Sequence, residues 1–198
     1  MAKVFAWMRP NDLIWNYWVN NYLLGNEPPV FDILFWNNDT TRLPAAFHGD
    51  LIELFKNNPL VRANALEVCG TPIDLKQVTA DIYALAGTND HITPWQSCYK
   101  SAQLFGGKVE FVLSSSGHIQ SILNPPGNPK ARYQTSDGLA GKALEWQENA
   151  TKHTDSWWLH WQVWQAERAG KLKKAPTSLG NKTYAAAEAA PGTYVHER

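Results

Sequence analysis

Two short segments of the sequence carry residues that can transfer a proton during catalysis. Asp90 lies in GTNDHITPW, directly after the apolar run DIYALA, and His118 lies in SSGHIQS, directly after KVEFVLS. A histidine can take a proton from a thiol or hydroxyl and return it later, while a carboxylate fixes the orientation of its ring. Each residue alone has a simpler structural explanation, since a buried histidine is often only hydrogen-bonded and an aspartate often caps a helix. Their places at the ends of two consecutive predicted strands favour a catalytic pair.

The nucleophile that would complete a triad with this pair is missing from the sequence. Neither Cys69, in VCGTP, nor Cys98, in QSCYK, lies in a G-x-[SC]-x-G elbow, and no serine does. An acid and then a histidine on successive strand ends is the order found in an α/β-hydrolase, where the nucleophile precedes both. We therefore expect the chain to be the C-terminal part of an α/β-hydrolase, with its catalytic thiol or hydroxyl upstream of Met1.

The elements that must position the pair form one predicted β-α-β unit of a parallel sheet with flanking helices. Residues 82–86 and 109–113 are the two strands, and residues 95–105 are the crossover helix, with Pro94 suited to its first turn. Reactive groups gather at the carboxyl ends of parallel strands. The unit therefore brings the aspartate and the histidine to the same edge of the sheet.

The chain is predicted to divide into three regions. Residues 1–34 belong to a helical cap (lid) subdomain, residues 35–170 to the C-terminal part of the hydrolase core, and residues 171–198 to a tail that wraps the surface. In the cap region an aromatic helix is expected to begin after Pro10 and to end at Gly25. Large apolar residues lie on several of its faces, so these faces must be covered by chain upstream of Met1 or by a second subunit. The other predicted elements are a strand at 30–36, a helix at 47–57, a hairpin around Gly70, a rigid irregular loop at 124–129, a variable surface segment at 130–143, and helices near Leu144 and after Ser156.

Composition excludes several classes of function. With 18 basic and 18 acidic residues the formal net charge is zero, so the chain has no electrostatic footprint for nucleic acid or anionic lipid. No apolar run reaches the roughly 20 residues of a membrane helix, and the first residues lack the plan of a signal peptide, so a cytoplasmic protein is expected. The two cysteines and six histidines lack metal-ligand spacing, so we expect reduced thiols and no metal.

Tryptophan is unusually frequent, at 10 of 198 residues, which implies large buried or partner-facing aromatic surfaces. Trp7, Trp15 and Trp18 are predicted to face a lid or a subunit interface. A further group lies on one face of a predicted helix and either docks that helix on the core, which is the simpler account, or forms a polymer-binding platform. Its members are Trp157, Trp158, Trp161 and Trp164.

Three residues near the catalytic pair need separate treatment. Gln120 and Ser121 follow the histidine closely enough to face a substrate channel, although plain packing explains them almost as well. His91 is adjacent to the aspartate, but neighbouring residues of a loop point in different directions. We therefore assign His91 a structural, loop-anchoring role.

Several longer stretches of the sequence resemble one enzyme family. They are WNYWVNNYLLGN, FDILFWNNDTTRLP, GTNDHITPW, SSSGHIQSILNPP, SWWLHW and PGTYVHER. Together they resemble the C-terminal portion of the poly(3-hydroxyalkanoate) synthases, closest to the pseudomonad type that polymerises medium-chain 3-hydroxyacyl groups. The resemblance implies an α/β-hydrolase core with a cap and a cysteine in a G-x-C-x-G elbow, whose partners fall on His118 and Asp90. Trp36 matches a family tryptophan near the cap junction, and with Gln120 and Ser121 it is a candidate substrate-pocket residue.

The reaction that this resemblance implies is acyl transfer from (R)-3-hydroxyacyl-CoA to a growing polyester chain. Coenzyme A is then part of the substrate and a product, and no separate cofactor is expected. The family cysteine has no counterpart here, so the chain alone is expected to be inactive. The implied partners are the CoA thioester, the polyester chain, the surface of a cytoplasmic storage granule and a second copy bound through the cap.

Two other interpretations stay open. The chain can be part of a different α/β-hydrolase, such as an esterase or a polyester depolymerase, whose nucleophile would usually be serine. It can also be a short non-catalytic protein that binds a synthase or the polymer through its aromatic residues. A core without its early strands leaves a sheet edge and an apolar face uncovered, which argues against the non-catalytic protein.

Overall fold

Two separate compact units make up the chain, Met1–Pro59 and Leu60–Arg198. The structure is a computed structural model, and the residues that it describes are 7, 10–28, 42–139, 141–190 and 192–193. Among these residues no helix is long and apolar enough to cross a membrane. The domain limits predicted at residues 34 and 170 stay predictions.

The first unit contains an aromatic helical segment made of two π-helical stretches, Asn11–Trp15 and Trp18–Leu23. Pro10 precedes it with a φ of −64°, a value that the proline ring enforces and that suits the start of a helix. Gly25 follows it with a φ of 69°, in the left-handed region that glycine adopts without steric cost. The helix predicted after Pro10 and ending at Gly25 is confirmed.

A second helix of the first unit, α1, spans Ala45–Asn57. It confirms the predicted helix and begins slightly earlier, because Pro44 can stand just before the first turn, where its missing N–H costs no hydrogen bond. Asn58 ends it in a left-handed conformation, with a φ of 41°. The strand predicted at residues 30–36, which includes Trp36, lies outside the described residues.

The second unit begins with a small antiparallel hairpin of β1, Leu66–Val68, and β2, Thr71–Ile73. Its two turn residues, Cys69 and Gly70, have φ values of 50° and 77°. Two consecutive residues with positive φ are characteristic of the turn whose twist matches that of the flanking strands. The hairpin predicted around Gly70 is confirmed.

A four-stranded sheet follows, in the order β3-β4-β5-β6. Strand β3, Ile82–Gly87, runs parallel to β4, Val109–Ser114, along its whole length. Helix α2, Trp95–Ala102, connects the two strands. The predicted β-α-β unit is therefore present, and it places the carboxyl ends of β3 and β4 side by side.

Helix α2 ends at Ala102, earlier than predicted. Beyond it the N–H groups of Gly106 and Gly107 both donate to the carbonyl oxygen of Val78, at 3.1 and 2.9 Å. A Cβ added at Gly106 would stand 2.0 Å from a backbone oxygen, so only glycine allows this approach. The chain has to leave the helix early because it must turn and dock its backbone here before β4 begins.

The sheet is mixed rather than wholly parallel. Residues 130–143, predicted as a variable surface segment, contain one of its strands, so that prediction was wrong. Strand β5, Arg132–Thr135, pairs antiparallel with β4, and β6, Thr151–Thr154, pairs antiparallel with β5. Ala131, just before β5, is almost fully buried. Both strands are short and polar, with the sequences RYQT and TKHT, so they lack the alternation of apolar and polar residues that predicts a strand. Strand β5 pairs with the hydrogen-bonding edge that β4 offers, and β6 pairs with the edge of β5.

One face of the sheet packs against α2 and a further helix, α3, which spans Ala143–Asn149 and confirms the helix predicted near residue 144. Tyr99 of α2 and Trp146 of α3 lie edge-to-face against Phe111 of β4, with ring centroids 5.2 and 5.0 Å from that of Phe111. Such pairs contribute about 0.5–1.5 kcal/mol each beyond the area they bury. All three rings are buried, so β4 is held firmly in the centre of the unit.

The other face of the sheet carries α4, Trp157–Ala166, which confirms the helix predicted after Ser156. The hydroxyl of Ser156 caps its first turn. Tyr83 of β3 lies against Trp157 and Trp164, with ring centroids 6.1 and 5.4 Å apart. These two tryptophans therefore dock α4 on the sheet, as the simpler account of the tryptophan group predicted.

Candidate active site

Asp90 and His118 meet at the carboxyl edge of the sheet. Asp90 follows the end of β3 and His118 follows the end of β4, and the last residues of the two strands, Gly87 and Ser114, are paired. Nδ1 of His118 lies 2.7 Å from Oδ2 of Asp90. The Asp90 side chain is 6% exposed and that of His118 is 40% exposed. The carboxylate is thus shielded, while the imidazole reaches from it toward the outside.

The carboxylate of Asp90 is anchored by its own loop. The N–H groups of Ile92 and Thr93 both donate to Oδ1 at 2.9 Å, and the Thr93 hydroxyl donates to Oδ2 at 2.7 Å. Burial opposes ionisation of Asp90, but the hydrogen bonds from Thr93, His118 and Ile92 outweigh it and hold the pKa of this carboxyl well below its usual range. Asp90 is therefore a fixed anion. The side chain does not cap α2, which follows Pro94 without a side-chain cap.

An ionised Asp90 determines how the His118 ring works. A carboxylate can only accept hydrogen bonds, so Nδ1 of His118 must carry the proton between them. The neutral ring then has its lone pair on Nε2, where it can take a proton from a reacting group. Within the part of the chain that the structure describes, no group is hydrogen-bonded to that Nε2. The geometry is that of a general base with its orienting acid.

The two loops are joined by backbone contacts that depend on Gly87. Thr88 N–H donates to the Ser114 oxygen at 2.9 Å, and Asn89 N–H donates to the Ser116 oxygen at 3.1 Å. A Cβ on Gly87 would stand 2.7 Å from Ser121 Oγ and 3.0 Å from the Ser116 oxygen. These separations are shorter than side chains tolerate, so the residue at the end of β3 has to be glycine for the His118 loop to lie this close.

The other residues singled out from the sequence occupy different settings. Gln120 is exposed, whereas Ser121 is 2% exposed and its hydroxyl donates to the His118 carbonyl oxygen at 3.4 Å. Both lie in the turn after His118, and their part in a substrate pocket stays a prediction, as it does for Trp36, which lies outside the described residues. His91 is exposed beside the pair.

Neither cysteine is hydrogen-bonded to His118 in the part of the chain that the structure describes. Cys98 lies in α2, and its thiol donates to the Thr93 carbonyl oxygen at 3.7 Å. Burial, together with the nearby charge of Asp90, raises the pKa of the Cys98 thiol, which keeps it protonated and weakly nucleophilic at neutral pH. Cys69 is exposed in the hairpin turn. This agrees with the sequence, in which neither cysteine occupies a nucleophile elbow.

In the part of the chain that the structure describes, neither a metal-ligand cluster nor the cleft described below contributes to the site. Among the described residues there is no group of three or more histidine, cysteine or acidic side chains that could hold a metal ion. A cleft of about 530 Å³ is lined by Lys108, Val109 and Gly138, among others. It lies at the amino end of β4, whereas His118 follows the carboxyl end, so this cleft is separate from the Asp90–His118 pair.

Two features of the site were missed in the sequence. Thr93 stands three residues after Asp90, a spacing at which a short polar side chain and its N–H commonly bond an aspartate, so this signal was available. The indole donors of Trp157 and Trp158 also contact the loop after His118, at carbonyl oxygens 36 residues away in the chain. No local sequence pattern predicts that contact.

Comparisons with known proteins agree with this geometry. Residues 1–125 match the model of a family described as alpha/beta hydrolase fold. Over all 198 of its residues the chain is 83% identical to Poly(3-hydroxyalkanoate) polymerase 1 and 59% identical to Poly(3-hydroxyalkanoate) polymerase 2, both of Ectopseudomonas oleovorans. Over 196 residues it is 43% identical to Poly(3-hydroxyalkanoate) polymerase subunit PhaC of Cupriavidus necator. The chain spans 35%, 35% and 33% of these relatives, so it is similar to about a third of each. The resemblance seen in the sequence motifs is confirmed.

Proposed function

Because this chain belongs to the α/β-hydrolase fold family, we propose that it is the part of a poly(3-hydroxyalkanoate) polymerase that carries the acid and the base of the catalytic triad. The observation that carries the proposal is the Asp90–His118 pair, with Nδ1 and Oδ2 2.7 Å apart at the sheet edge where this fold performs its chemistry. The names of the relatives, which are all polymerases, supply the reaction class. The substrate is an (R)-3-hydroxyacyl-CoA thioester, and no separate cofactor takes part.

The proposed reaction has two halves that use the same base. Nε2 of His118 takes the proton of a cysteine thiol supplied from outside this chain. The thiolate attacks the thioester carbonyl, the bond to the CoA sulfur breaks, and the proton on His118 passes to the departing CoA. In the second half His118 takes the proton of a 3-hydroxyl group, whose oxygen attacks the enzyme-bound acyl carbonyl. The cysteine sulfur leaves, recovers the proton, and one ester bond has formed.

In this scheme Asp90 orients the base and does not itself remove a proton. Both of its oxygens already accept hydrogen bonds, from Thr93, Ile92 and His118, and its side chain is 6% exposed. Its lowered pKa also makes it a weak base. The role of Asp90 is to hold the productive tautomer of His118 and to stabilise the imidazolium that forms in each half-reaction.

The proposal includes the surroundings in which the enzyme works. The polyester product grows from the active site as a cytoplasmic granule, at whose surface the protein is placed. A second copy binds through the cap region, where the aromatic helical segment exposes Trp18 and Tyr22 to 48% and 71%. Large exposed apolar side chains of this kind are typical of surfaces that a partner covers.

The test compares two histidines in the full-length polypeptide that contains this chain. His118→Gln is expected to lower CoA release from a medium-chain (R)-3-hydroxyacyl-CoA by about 10²–10⁴-fold, the usual contribution of a general base. His91→Gln, one residue from Asp90, is the matched control and is expected to stay within about twofold of the unchanged enzyme, since exposed positions away from such contacts tolerate substitution. CoA release is followed with a thiol reagent, and polymer is weighed.

Two results would contradict the proposal. Full CoA release by the His118→Gln variant would remove His118 from the chemistry. Release of CoA with free 3-hydroxy acid and no polymer, in the unchanged enzyme, would establish a hydrolase that uses the same pair. That second outcome corresponds to the esterase or depolymerase interpretation, in which water replaces the 3-hydroxyl group.

A further inference from the structure

Helix α4 holds the turn that follows His118. The indole N–H of Trp157 donates to the Ser121 carbonyl oxygen at 2.8 Å, and the indole N–H of Trp158 donates to the Ile122 carbonyl oxygen at 2.9 Å. The Ser156 hydroxyl donates to the carbonyl oxygen of Asn124 in the same turn. Three consecutive residues of one helix start thus bind three carbonyl groups of one turn. We call the side chains of Trp157 and Trp158 the tryptophan clamp.

The clamp is linked to His118 through Ser121. The N–H of Ser121 donates to the Gly117 oxygen at 2.9 Å and its hydroxyl donates to the His118 oxygen at 3.4 Å, so this residue bonds the peptide groups on both sides of the His118 α-carbon. The carbonyl of the same Ser121 accepts from Trp157. A displacement of the clamp would therefore reach the His118 backbone through a single residue.

Burial of apolar side chains does not hold this turn. Ile119, Ile122 and Leu123 are 51%, 52% and 53% exposed, so they contribute little of the packing that fixes the rest of the unit. The Asp90 loop differs, because three hydrogen bonds from its own residues fix the carboxylate. The His118 turn has backbone hydrogen bonds of its own, among them those of the Ile122 and Leu123 N–H groups to the Ile119 oxygen at 3.1 and 2.9 Å, and the hydrogen bonds from the start of α4 tie it to another element.

We propose that Trp157 and Trp158 are positioning residues, whose indole N–H groups keep the His118 imidazole in line with Asp90 and with the reacting thiol and hydroxyl. The inference rests on the proposed function for its effect on rate. A base must stay within a few tenths of an ångström of its productive place, and supporting residues that fix its backbone preserve that geometry. The effect is expected on kcat, because the two indole N–H groups bind backbone oxygens of the turn that carries the base.

The test removes the N–H groups and keeps the rings, in the full-length protein. Trp157→Phe and Trp158→Phe are each expected to lower kcat for CoA release by about 5- to 10-fold, the effect of losing one hydrogen bond that holds a catalytic group, with KM within about twofold. Replacement of Trp158 by β-(3-benzothienyl)alanine keeps the bicyclic ring without the N–H and is expected to match Trp158→Phe. Trp161→Phe is the matched control, since Trp161 lies one turn along α4 and contacts the clamp only through its ring.

A second measurement does not depend on activity. Amide hydrogen exchange of residues 117–124 is expected to quicken in the clamp variants and to stay unchanged in Trp161→Phe, while β4 keeps its protection. The proposal is overturned if kcat stays within twofold in both Phe variants, or if exchange quickens equally throughout the unit and in the control, which would mean general loss of packing. Full activity of the benzothienyl variant would overturn it as well. If the unchanged protein releases no CoA, the proposed function fails, and the exchange pattern still decides whether the clamp positions His118.

Discussion

Replacing Thr93 with valine isolates one of the hydrogen bonds that keep Asp90 ionised. Thr93 donates its hydroxyl to Asp90 Oδ2 at 2.7 Å, the same oxygen that His118 contacts at 2.7 Å. Valine has nearly the shape of threonine and keeps the backbone N–H that serves Oδ1. The substitution therefore removes one donor from a shielded carboxylate and little else. Thr93→Ser, which keeps the hydroxyl, is the matched control.

The magnitude follows from the charge and the burial of the acceptor. A hydrogen bond to a charged group contributes about 1.5–3 kcal/mol, and with Asp90 only 6% exposed little water can replace the lost donor. Thr93→Val is thus expected to lower the free energy of unfolding at neutral pH by about 1.5–3 kcal/mol, and Thr93→Ser by less than about 1 kcal/mol.

The pH dependence gives the sign of the same effect. The folded pKa of Asp90 is lowered, so its ionisation contributes stability above the ordinary aspartate pKa, near 3.9, and this contribution is lost as pH falls toward the folded value. Losing one donor raises the folded pKa of Asp90. Because the two unfolded chains titrate alike, the difference in stability between the unchanged protein and Thr93→Val is full wherever Asp90 is ionised in both folded proteins. It shrinks only as the pH falls through the folded Asp90 pKa of the variant, which lies below the ordinary value near 3.9.

The assay is native-state hydrogen exchange of the amides of β3 and β4 from pH 4 to pH 7, with the exchange rates corrected for pH. A difference between Thr93→Val and Thr93→Ser that is absent at pH 7, or that grows as the pH falls, would refute the reasoning. The first result would mean that the Thr93 hydroxyl does not stabilise the carboxylate. The second would mean that the Thr93 hydroxyl favours the protonated form of Asp90 in the folded protein.

Two further predictions concern the close approach at the sheet edge and the thiol beside it. Gly87→Ala, whose new Cβ would meet Ser121 Oγ at 2.7 Å, is expected to lower kcat for CoA release by about tenfold, whereas Gly49→Ala, with open space around it, changes kcat less than about twofold; equal rates in both would contradict the steric argument. Cys98→Ala is expected to keep at least about half the activity, and Cys98 should be alkylated by iodoacetamide at pH 7 more slowly than the exposed Cys69, as mass spectrometry of the peptides can show.

The sequence predicted the candidate site better than the sheet around it. Asp90 and His118 follow strongly apolar strands, and the carboxyl ends of two adjacent parallel strands have to meet, so local pattern and chain order were sufficient. Strands β5 and β6 were not predicted because RYQT and TKHT carry no apolar alternation. Their pairing depends on neighbouring strands, β4 for β5 and β5 for β6. The support from Trp157 could not be predicted either, since it joins residues 36 positions apart through a side-chain donor and a backbone oxygen.

The side chains of Asp90 and His118 are held in place by hydrogen bonds from different parts of the chain. Asp90 receives its hydrogen bonds from residues within three positions of itself, so its loop is fixed as soon as β3 and the start of α2 have formed. His118 has the buried strand β4 on one side, but the turn on its other side is held by the N-terminal end of α4. If the tryptophan clamp positions His118 as proposed, the alignment of the histidine also depends on α4, which is docked on the far face of the sheet through Tyr83. In the proposed reaction this second support matters, because Nε2 of His118 would have to stay exposed to each incoming group and could not be fixed by a permanent partner of its own.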